Sequence, residues 1–353
     1  MINTSNKSIQ IAGGGIAGLT VALQLKKSKF NPIVYEKETE VGGGRDGDYE
    51  GLENWIFSKP VPDFFNDFGI NFNRLTTFPI NQFVVHSQNS KPFTIYNKHP
   101  FFYMVRRGKK SNDLDFQLFQ QCKTHGVQFE FGKKAPDSCQ IIATGTTRAA
   151  AFIQGTNFET MLPNQVHLLL GKRFAPKGYA YLIILNGRGT LATAFKKSNN
   201  LKSDSFKNSM NYFNSMGLKI PPGKPFGGRG SFSLPIGSMQ PPYKIGEAGG
   251  FQDYLFGFGI RMSMMSGQAA GLSIMGKKRE SKKIIKALNQ KRRLSFLNRI
   301  IYEQLSDERM VGFVKKLSEK TNPLSILGDA YSWNFKNILR WINLGQQYEV
   351  RPT

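Results

Sequence analysis

A glycine-rich stretch near the start of the chain, GGGIAG at positions 13–18, has the spacing of a loop that holds phosphate. Gly13, Gly15 and Gly18 fit the pattern G-x-G-x-x-G. In that pattern the first glycine permits a tight turn, the second lets the backbone approach a pyrophosphate, and the third lets a helix pack closely on a sheet. Alone the spacing is weak evidence, because the chain contains 36 glycines.

The elements around this loop are those that a dinucleotide site needs. Residues 8–12 predict a short strand, residues 16–27 have helical periodicity, and residues 33–35 predict a second strand that ends at Glu36. The start of the helix offers free N–H groups to a phosphate. A carboxylate at the end of the second strand accepts hydrogen bonds from ribose hydroxyls, which disfavours NADP. NAD and FAD both fit this stretch.

Three later stretches favour FAD over NAD. A second glycine cluster followed by a cation, GGGR at 42–45, suits the diphosphate of an extended cofactor. An apolar strand ends in Ala-Thr-Gly at 143–145, where backbone would meet the adenine side. The stretch GEAGG at 246–250 supplies a carboxylate for ribityl hydroxyls, and GFGI at 257–260 leads into a helix whose N-terminal dipole can face a flavin ring.

The chain resembles the FAD-dependent geranylgeranyl reductase family, within the p-hydroxybenzoate hydroxylase-like flavoprotein superfamily. The resemblance lies in an ordered set of motifs: GGGIAG, YEK, GGGR, VRRG, ATG, PKGYAY, GEAGGF and GFGI. The resemblance covers about residues 7–272. It implies FAD as the cofactor and Arg107, or its neighbour Arg106, as a cofactor contact. The residues that it implies for FAD are Gly13, Gly15, Ile16, Ala17, Gly18, Glu36, Lys37, Gly44, Arg45, Arg107, Ala143, Thr144, Gly145, Gly246, Glu247, Gly257, Gly259 and Ile260.

The resemblance also implies hydride transfer from reduced flavin to a C=C bond of an isoprenoid or another apolar lipid. Where that family has Tyr-x-Trp-x-Phe, this chain has Tyr179 and Tyr181 followed by Ile183, which predicts an apolar substrate pocket of altered shape. Tyr179 is the candidate catalytic residue, with a packing role as the alternative. Where that family usually has Gly-Asp, this chain has Gly246-Glu247. An FAD-dependent monooxygenase on a hydrophobic substrate is the alternative function, and the electron donor is left open.

We therefore expect an α/β fold with α+β insertions: an FAD-binding Rossmann-like domain, an antiparallel β-sheet substrate domain and a C-terminal helical region. The predicted FAD-binding segments are 1–60, 106–150 and 240–276. The predicted substrate domain comprises 61–105 and 151–239, and the basic helical region is 277–353.

Charge is the unusual feature of the composition. With 48 Lys and Arg against 24 Asp and Glu, the formal charge is +24. Such a field favours anionic partners. The alternative is that proteins of the source organism are generally rich in lysine. We expect no nucleic-acid partner, because no recognised module is present. The basic helix after Gly276 is either a solvated cap or a surface for an anionic membrane.

The remaining composition predicts a location. Cys122 and Cys139 lie in no metal or redox motif, and with four His we expect no metal site and a reducing, cytoplasmic setting. The first residues lack the apolar core of a signal peptide, and no run is long enough to span a bilayer. We expect a cytoplasmic protein, with attachment to the inner face of a membrane as the second possibility.

Overall fold

The computed structural model describes residues 8–45, 47–88, 90–146, 151–196, 204–230 and 239–347. Its strands are β1 Ser8–Ala12, β2 Asn31–Glu36, β3 Tyr49–Glu53, β4 Thr77–Ile80, β5 Gln82–Ser87, β6 Ser90–Tyr96, β7 Phe102–Arg106, β8 Gln128–Phe131, β9 Ile141–Ile142, β10 Ala151–Glu159, β11 Gln165–Leu170, β12 Tyr179–Leu185, β13 Arg188–Lys196, β14 Lys224–Gly230 and β15 Tyr243–Lys244. Its helices are α1 Ile16–Lys27, α2 Val61–Asp67, α3 Leu114–Thr124, α4 Ser205–Ser215, α5 Ile260–Ile274, α6 Lys278–Gln304, α7 Asp307–Ser318, α8 Pro323–Ala330 and α9 Phe335–Gln347.

The first sheet is parallel and has the strand order β15-β9-β1-β2-β8. Strand β1 and helix α1 have the predicted bounds, and β2 begins two residues earlier than predicted but ends, as predicted, at Glu36. Parallel strands with a helical crossover place the carboxyl ends of β1 and β2 side by side, with the glycine loop between them. The Rossmann-like part of the α/β prediction is confirmed.

Helix α1 is buried on nearly every side because α5 packs against it. Glycines on α5 permit this approach: a Cβ on Gly267 would lie 2.7 Å from the carbonyl oxygen of Ala17, and one on Gly271 would lie 2.2 Å from Gln24 Oε1. The two helices thereby bring the first glycine loop and the distant 246–260 segment into one region. Close helix packing therefore joins the two ends of the predicted cofactor site.

The second sheet has seven strands in the order β14-β10-β13-β12-β11-β5-β6. Its pairs are antiparallel except for β11 with β5, which run parallel, so the predicted antiparallel sheet is mixed. A two-residue turn joins β12 to β13 at Asn186-Gly187, with φ of 50° and 76°, as hairpins favour. Asn89, between β5 and β6, lies outside the described residues, and β6 begins at Ser90.

A third, three-stranded sheet has the order β3-β7-β4 and links the other two. The C-terminal helices complete the structure. Helix α6 buries Ile285 and Leu288 in one hydrophobic cluster and Leu294 and Leu297 in another, so it packs against the protein along its length. Across the described ranges, none of the helices combines the length and the hydrophobicity that a membrane span requires.

Candidate nucleotide and substrate site

A continuous cavity of about 1980 Å³ passes between the sheets and the C-terminal helices. Its wall begins at the glycine loop, follows the 246–260 segment and the face of the seven-stranded sheet, and reaches α6 to α9. Pockets for single small ligands hold about 300–1,000 Å³. The cavity is therefore large enough for an extended cofactor together with a substrate.

The three motif glycines have different surroundings. Gly13 has a φ of 104°, and a Cβ there would lie 2.5 Å from the carbonyl oxygen of Ala143. A Cβ on Gly18 would lie 2.0 Å from the carbonyl oxygen of Gly13. Around Gly15 the space is open within 4 Å, and Gly15 lines the cavity. The outer glycines thus hold the loop against the sheet, and the middle one leaves room for a ligand.

Helix α1 begins at this loop without a side chain to satisfy its first N–H groups. Gly15 is the N-cap, and no described side chain caps the helix. Ile16 and Ala17, the first residues of the helix, line the cavity. Free N–H groups and the positive end of the helix dipole make this point suitable for a phosphate.

The Glu36 carboxylate is fixed at the end of β2. Its Oε2 accepts a hydrogen bond from the backbone N–H of Gly14 at 2.8 Å, and its Oε1 accepts one from that of Glu38 at 3.0 Å. Each carboxylate oxygen can accept a second hydrogen bond. Glu36 and Lys37 both line the cavity, so the structure places the predicted ribose acceptor beside the phosphate position.

Buried charges support the neighbouring wall. The guanidinium of Arg107 is almost fully buried and forms two bonds to Asp115, of 2.7 and 2.8 Å, and a third to Glu50. Burial is the largest influence on Asp115 and Glu50 and opposes their ionisation, but the combined attraction of Arg107 and Arg45 and the hydrogen bonds from Arg107 lower the pKa of both carboxyls. Arg45 lies 2.5 Å from Glu50, whereas Arg106 pairs with Asp113.

These pairings bear on the predicted cofactor contacts. Arg107 lines the cavity, but its donors are largely taken by carboxylates, so its contact with a cofactor stays a prediction. Arg45 and Gly44 also line the cavity, and 40% of the Arg45 side chain is exposed. Arg45 is therefore the more accessible cation for a diphosphate.

The Ala-Thr-Gly strand end and the 246–260 segment complete the cofactor side. Ala143 donates its N–H to Ala12 at 2.7 Å, and Thr144 and Gly145 follow it along the wall. Gly246 has a φ of 58° and donates its N–H to Ser266 at 2.8 Å. The structure brings both segments to the cavity that the glycine loop also lines.

Helix α5 presents a second uncapped N-terminus to the cavity. Its N-cap is Gly259, without a capping side chain among the described residues, and Gly257 and Ile260 line the wall beside it. Burial, followed by repulsion from Glu50, raises the pKa of the nearby Glu247 carboxyl. This end of the cavity therefore combines a positive helix end with a carboxylate that is poorly hydrated.

An aromatic cluster, which we call the aromatic box, lies between β3 and the 253–258 loop. Trp55 packs edge-on against Phe258 at 5.2 Å, Phe256 at 5.5 Å and Phe102 at 6.4 Å between ring centres. All four line the cavity, and the buried Nε1 of Trp55 has no hydrogen-bond partner within the described part of the chain. This box was not predicted from the sequence; Phe256 and Phe258, on either side of Gly257, were the available signal.

Asp253 holds the loop of the aromatic box in place. Its side chain accepts hydrogen bonds from Ser295 Oγ at 2.5 Å, from the Tyr331 hydroxyl at 2.6 Å and from the N–H of Phe256 at 2.6 Å. Burial raises its pKa, and these hydrogen bonds oppose that shift. The carboxyl thus anchors the loop to α6 and to the end of α8.

The two tyrosines predicted for the substrate pocket differ in their partners. Tyr179 donates its hydroxyl to the carbonyl of Phe256 at 2.5 Å. Tyr181 also lines the cavity, and its hydroxyl makes no hydrogen bond to a described residue. Burial raises the pKa of both phenols, so both stay protonated near neutral pH. Of the two, Tyr181 has the hydroxyl that a substrate can reach.

Beyond the aromatic box the cavity continues as what we call the apolar arm, between α6, α7, α8 and α9. Its wall contains the aliphatic and aromatic side chains of Ile301, Leu305, Met310, Phe313, Val314, Leu317, Ile326, Leu327 and Ala330, together with polar residues that include Asn298, Arg309, Asp329, Asn334, Lys336, Asn337 and Arg340. The apolar part of this wall can bind apolar groups, because binding releases the water around those groups to the bulk. No pattern in the sequence indicated that these helices would enclose a cavity.

Comparisons with known proteins agree with this architecture. Residues 11–61 match the family model of the NAD(P)-binding Rossmann-like domain. No curated protein matches the chain. The chain is similar to a solved structure of a geranylgeranyl bacteriochlorophyll reductase-like protein from Thermoplasma acidophilum, at 18% identity and a TM-score of 0.70, over 98% of this chain and 97% of that one.

Two further solved structures are similar over nearly their whole length. The flavin-dependent brominase Bmp2 is 14% identical with a TM-score of 0.64, over 98% of this chain and 99% of that one. The p-nitrophenol 4-monooxygenase PnpA from Pseudomonas putida DLL-E4 is 11% identical with a TM-score of 0.63, over 95% and 98%. Similarity at these identities shows the fold: a mixed α/β protein with a Rossmann-like domain.

Proposed function

We propose that this chain is an FAD-dependent oxidoreductase that reduces C=C bonds of an isoprenoid or another apolar lipid. The observation that carries the proposal is the single cavity of about 1980 Å³, which joins a phosphate-binding loop to an apolar arm. A nucleotide fits at one end and a long apolar chain at the other. The family resemblance of the sequence supports the same reaction.

The residues present fit FAD. The open space at Gly15 and the free N–H groups of α1 would hold the pyrophosphate, and Glu36 would accept the ribose hydroxyls. The uncapped start of α5 would lie at the flavin ring, where its dipole stabilises negative charge. Bound and reduced, FAD supplies a hydride. The protein supplies orientation and a water-poor cavity.

On the substrate side, three groups have distinct roles in the proposal. Trp55 and the rings around it exclude water, and the unpartnered Trp55 Nε1 can donate a hydrogen bond into the cavity. Tyr181 holds a proton on its hydroxyl, available to a substrate carbon. Tyr179 acts as a positioning residue, because its proton is committed to the carbonyl of Phe256.

The alternative function is an FAD-dependent monooxygenase on a hydrophobic substrate. The fold similarity to the p-nitrophenol 4-monooxygenase is the observation that favours it. Both functions need the same cofactor and the same cavity. They differ in whether oxygen is consumed and whether the product gains an oxygen atom or hydrogen.

Both functions require FAD, and purification of the protein followed by identification of the released cofactor tests this. We expect FAD, and neither FMN nor NAD. The photoreduced protein is then mixed with a geranylgeranyl lipid without oxygen. We expect flavin reoxidation and a product with one double bond fewer for each flavin reoxidised. Oxygen uptake that the lipid accelerates, with a hydroxylated product, would overturn the reductase in favour of the monooxygenase.

A further inference from the structure

Helix α9 presents an apolar strip to solvent. Phe335 is 76% exposed, Leu339 44% and Ile342 47%. Positions i, i+4 and i+7 lie on one face of a helix, so these three side chains form a single stripe. Asn337 and Leu344, on the opposite face, are buried. The exposed stripe is therefore not needed to pack α9 onto the protein.

Two further helices carry exposed apolar side chains. Phe313 on α7 is 51% exposed, and Ile301 near the end of α6 is 38% exposed. Both also line the apolar arm. We call the α9 stripe, together with these two residues of the cavity wall, the apolar rim; Lys336 and Arg340, on the same helix as the stripe, line that cavity. Large side chains grouped in this way mark an interaction site more often than isolated ones do.

Cations lie around the apolar rim. Arg309 on α7 and Lys336 and Arg340 on α9 are exposed and line the same cavity. Within the described ranges, none of the three has an acidic side chain within ion-pair distance. Asp329 is an exposed acidic residue on this part of the wall, so the three cations outnumber it there. An apolar stripe beside unpaired cations complements an anionic lipid surface, where the cations meet headgroups and the rings enter the acyl boundary.

We propose that the apolar rim docks on the surface of an anionic bilayer, so that the apolar arm opens toward the acyl chains. Docking follows from the rim and its cations, and it does not depend on the cofactor or on the reaction. An apolar lipid would then enter the arm without crossing water. Lys278 and Arg279, at the basic start of α6, do not line the cavity, unlike Lys336 and Arg340.

Flotation of the full chain with vesicles tests the proposal. The vesicles contain phosphatidylcholine alone or mixed with phosphatidylglycerol. We expect binding to the mixed vesicles and at least about tenfold weaker partitioning for Phe335→Ser/Leu339→Ser and for Lys336→Glu/Arg340→Glu. Because these residues are exposed, the variants should keep the thermal unfolding midpoint of the natural chain.

Matched controls separate this surface from general charge and hydrophobicity. Lys278→Glu/Arg279→Glu makes the same charge change elsewhere, and Tyr96→Ser/Met161→Ser removes two exposed apolar side chains far along the sequence. We expect both controls to bind mixed vesicles nearly as well as the natural chain. Equal losses in the controls, no vesicle binding at all, or a concentration-dependent dimer that Phe335→Ser/Leu339→Ser abolishes would each overturn the proposal.

Discussion

At the glycine-loop end of the cavity the wall consists of backbone N–H groups and fixed charges, whereas the apolar arm is made of side chains from four helices. The first end depends on glycines whose Cβ positions are blocked by backbone, as at Gly13 and Gly18. The second needs only apolar side chains of suitable size. A substitution at the glycine-loop end should therefore reduce folding stability or cofactor affinity. A substitution in the apolar arm should change only the binding and turnover of substrate.

The largest effect is expected at the charge cluster of the glycine-loop end. Arg107→Ala leaves Asp115 buried without its cation, so we expect the free energy of unfolding to fall by about 3–5 kcal/mol. Arg45→Ala, at a side chain that is 40% exposed, should cost less than about 1 kcal/mol. Urea unfolding measures both. Similar losses in the two variants would contradict the difference in burial between the two cations.

A methyl group at Gly15 separates cofactor binding from folding. The space around this Cβ is open, and the φ of −77° suits alanine, so Gly15→Ala should fold as the natural chain does. The methyl would occupy the approach of the pyrophosphate, and we expect FAD to bind about tenfold more weakly or worse. Titration with FAD checks this. Gly312→Ala, also in open space but within α7, is the control: it should leave FAD affinity unchanged and raise the free energy of unfolding by about 0.5–1 kcal/mol.

A bulky residue in the apolar arm should slow the reaction with a long substrate without changing FAD affinity. Ala330 lines the arm, and Ala330→Phe fills part of it. We expect about tenfold slower reduction of a geranylgeranyl lipid, with unchanged FAD affinity and a smaller effect on a shorter prenyl chain. Ala330→Ser keeps the volume and serves as the control. Loss of FAD from Ala330→Phe would show that the two ends are not independent.

The smallest effect concerns a histidine pair beneath the sheet, away from both ends. His86 Nε2 lies 2.9 Å from His167 Nδ1. Burial, with a smaller contribution from His167, lowers the pKa of His86 from 6.5 to about 4. As pH falls below 6.5 the unfolded chain gains a proton that the folded chain does not, so stability decreases, by about 1 kcal/mol near pH 5.5.

The measurement is the free energy of unfolding of the natural chain and of His86→Phe at each pH. The variant should lose less stability on acidification. Comparison at equal pH is needed because burial raises the pKa of Glu53 to about 7, opposed by Arg261, and that shift acts in the opposite direction. Parallel pH profiles for the two proteins would contradict the lowered pKa.

Local sequence was sufficient for the glycine-loop end. The strand, turn and helix from Ser8 to Lys27 follow from alternation, glycine spacing and helical period, and the Asn186-Gly187 turn follows from its residue types. These features are local because they depend on backbone conformations that few residues adopt. The 246–260 segment was assigned to the same site for the same reason.

The rest depends on contacts between distant parts of the chain. The parallel pairing of β11 with β5 joins two segments that antiparallel hairpins would not connect, so the pattern of strands could not predict it. The partners of Asp253 lie in α6 and at the end of α8, and the box around Trp55 draws on three segments. Residues far apart in the chain become partners because of how the elements pack. The periodicity of one sequence carries no information about that packing.

The most direct test of the proposed function is the mass of a geranylgeranyl lipid after a single anaerobic turnover with the photoreduced protein in D₂O. The proposal predicts that each reduced double bond gains two deuterium atoms, one delivered from the flavin and one as a proton from an exchangeable group, with no oxygen added. Tyr181→Phe should slow this step while retaining FAD. A lipid of unchanged mass beside reduced flavin, or one that gains oxygen once air is admitted, would contradict it.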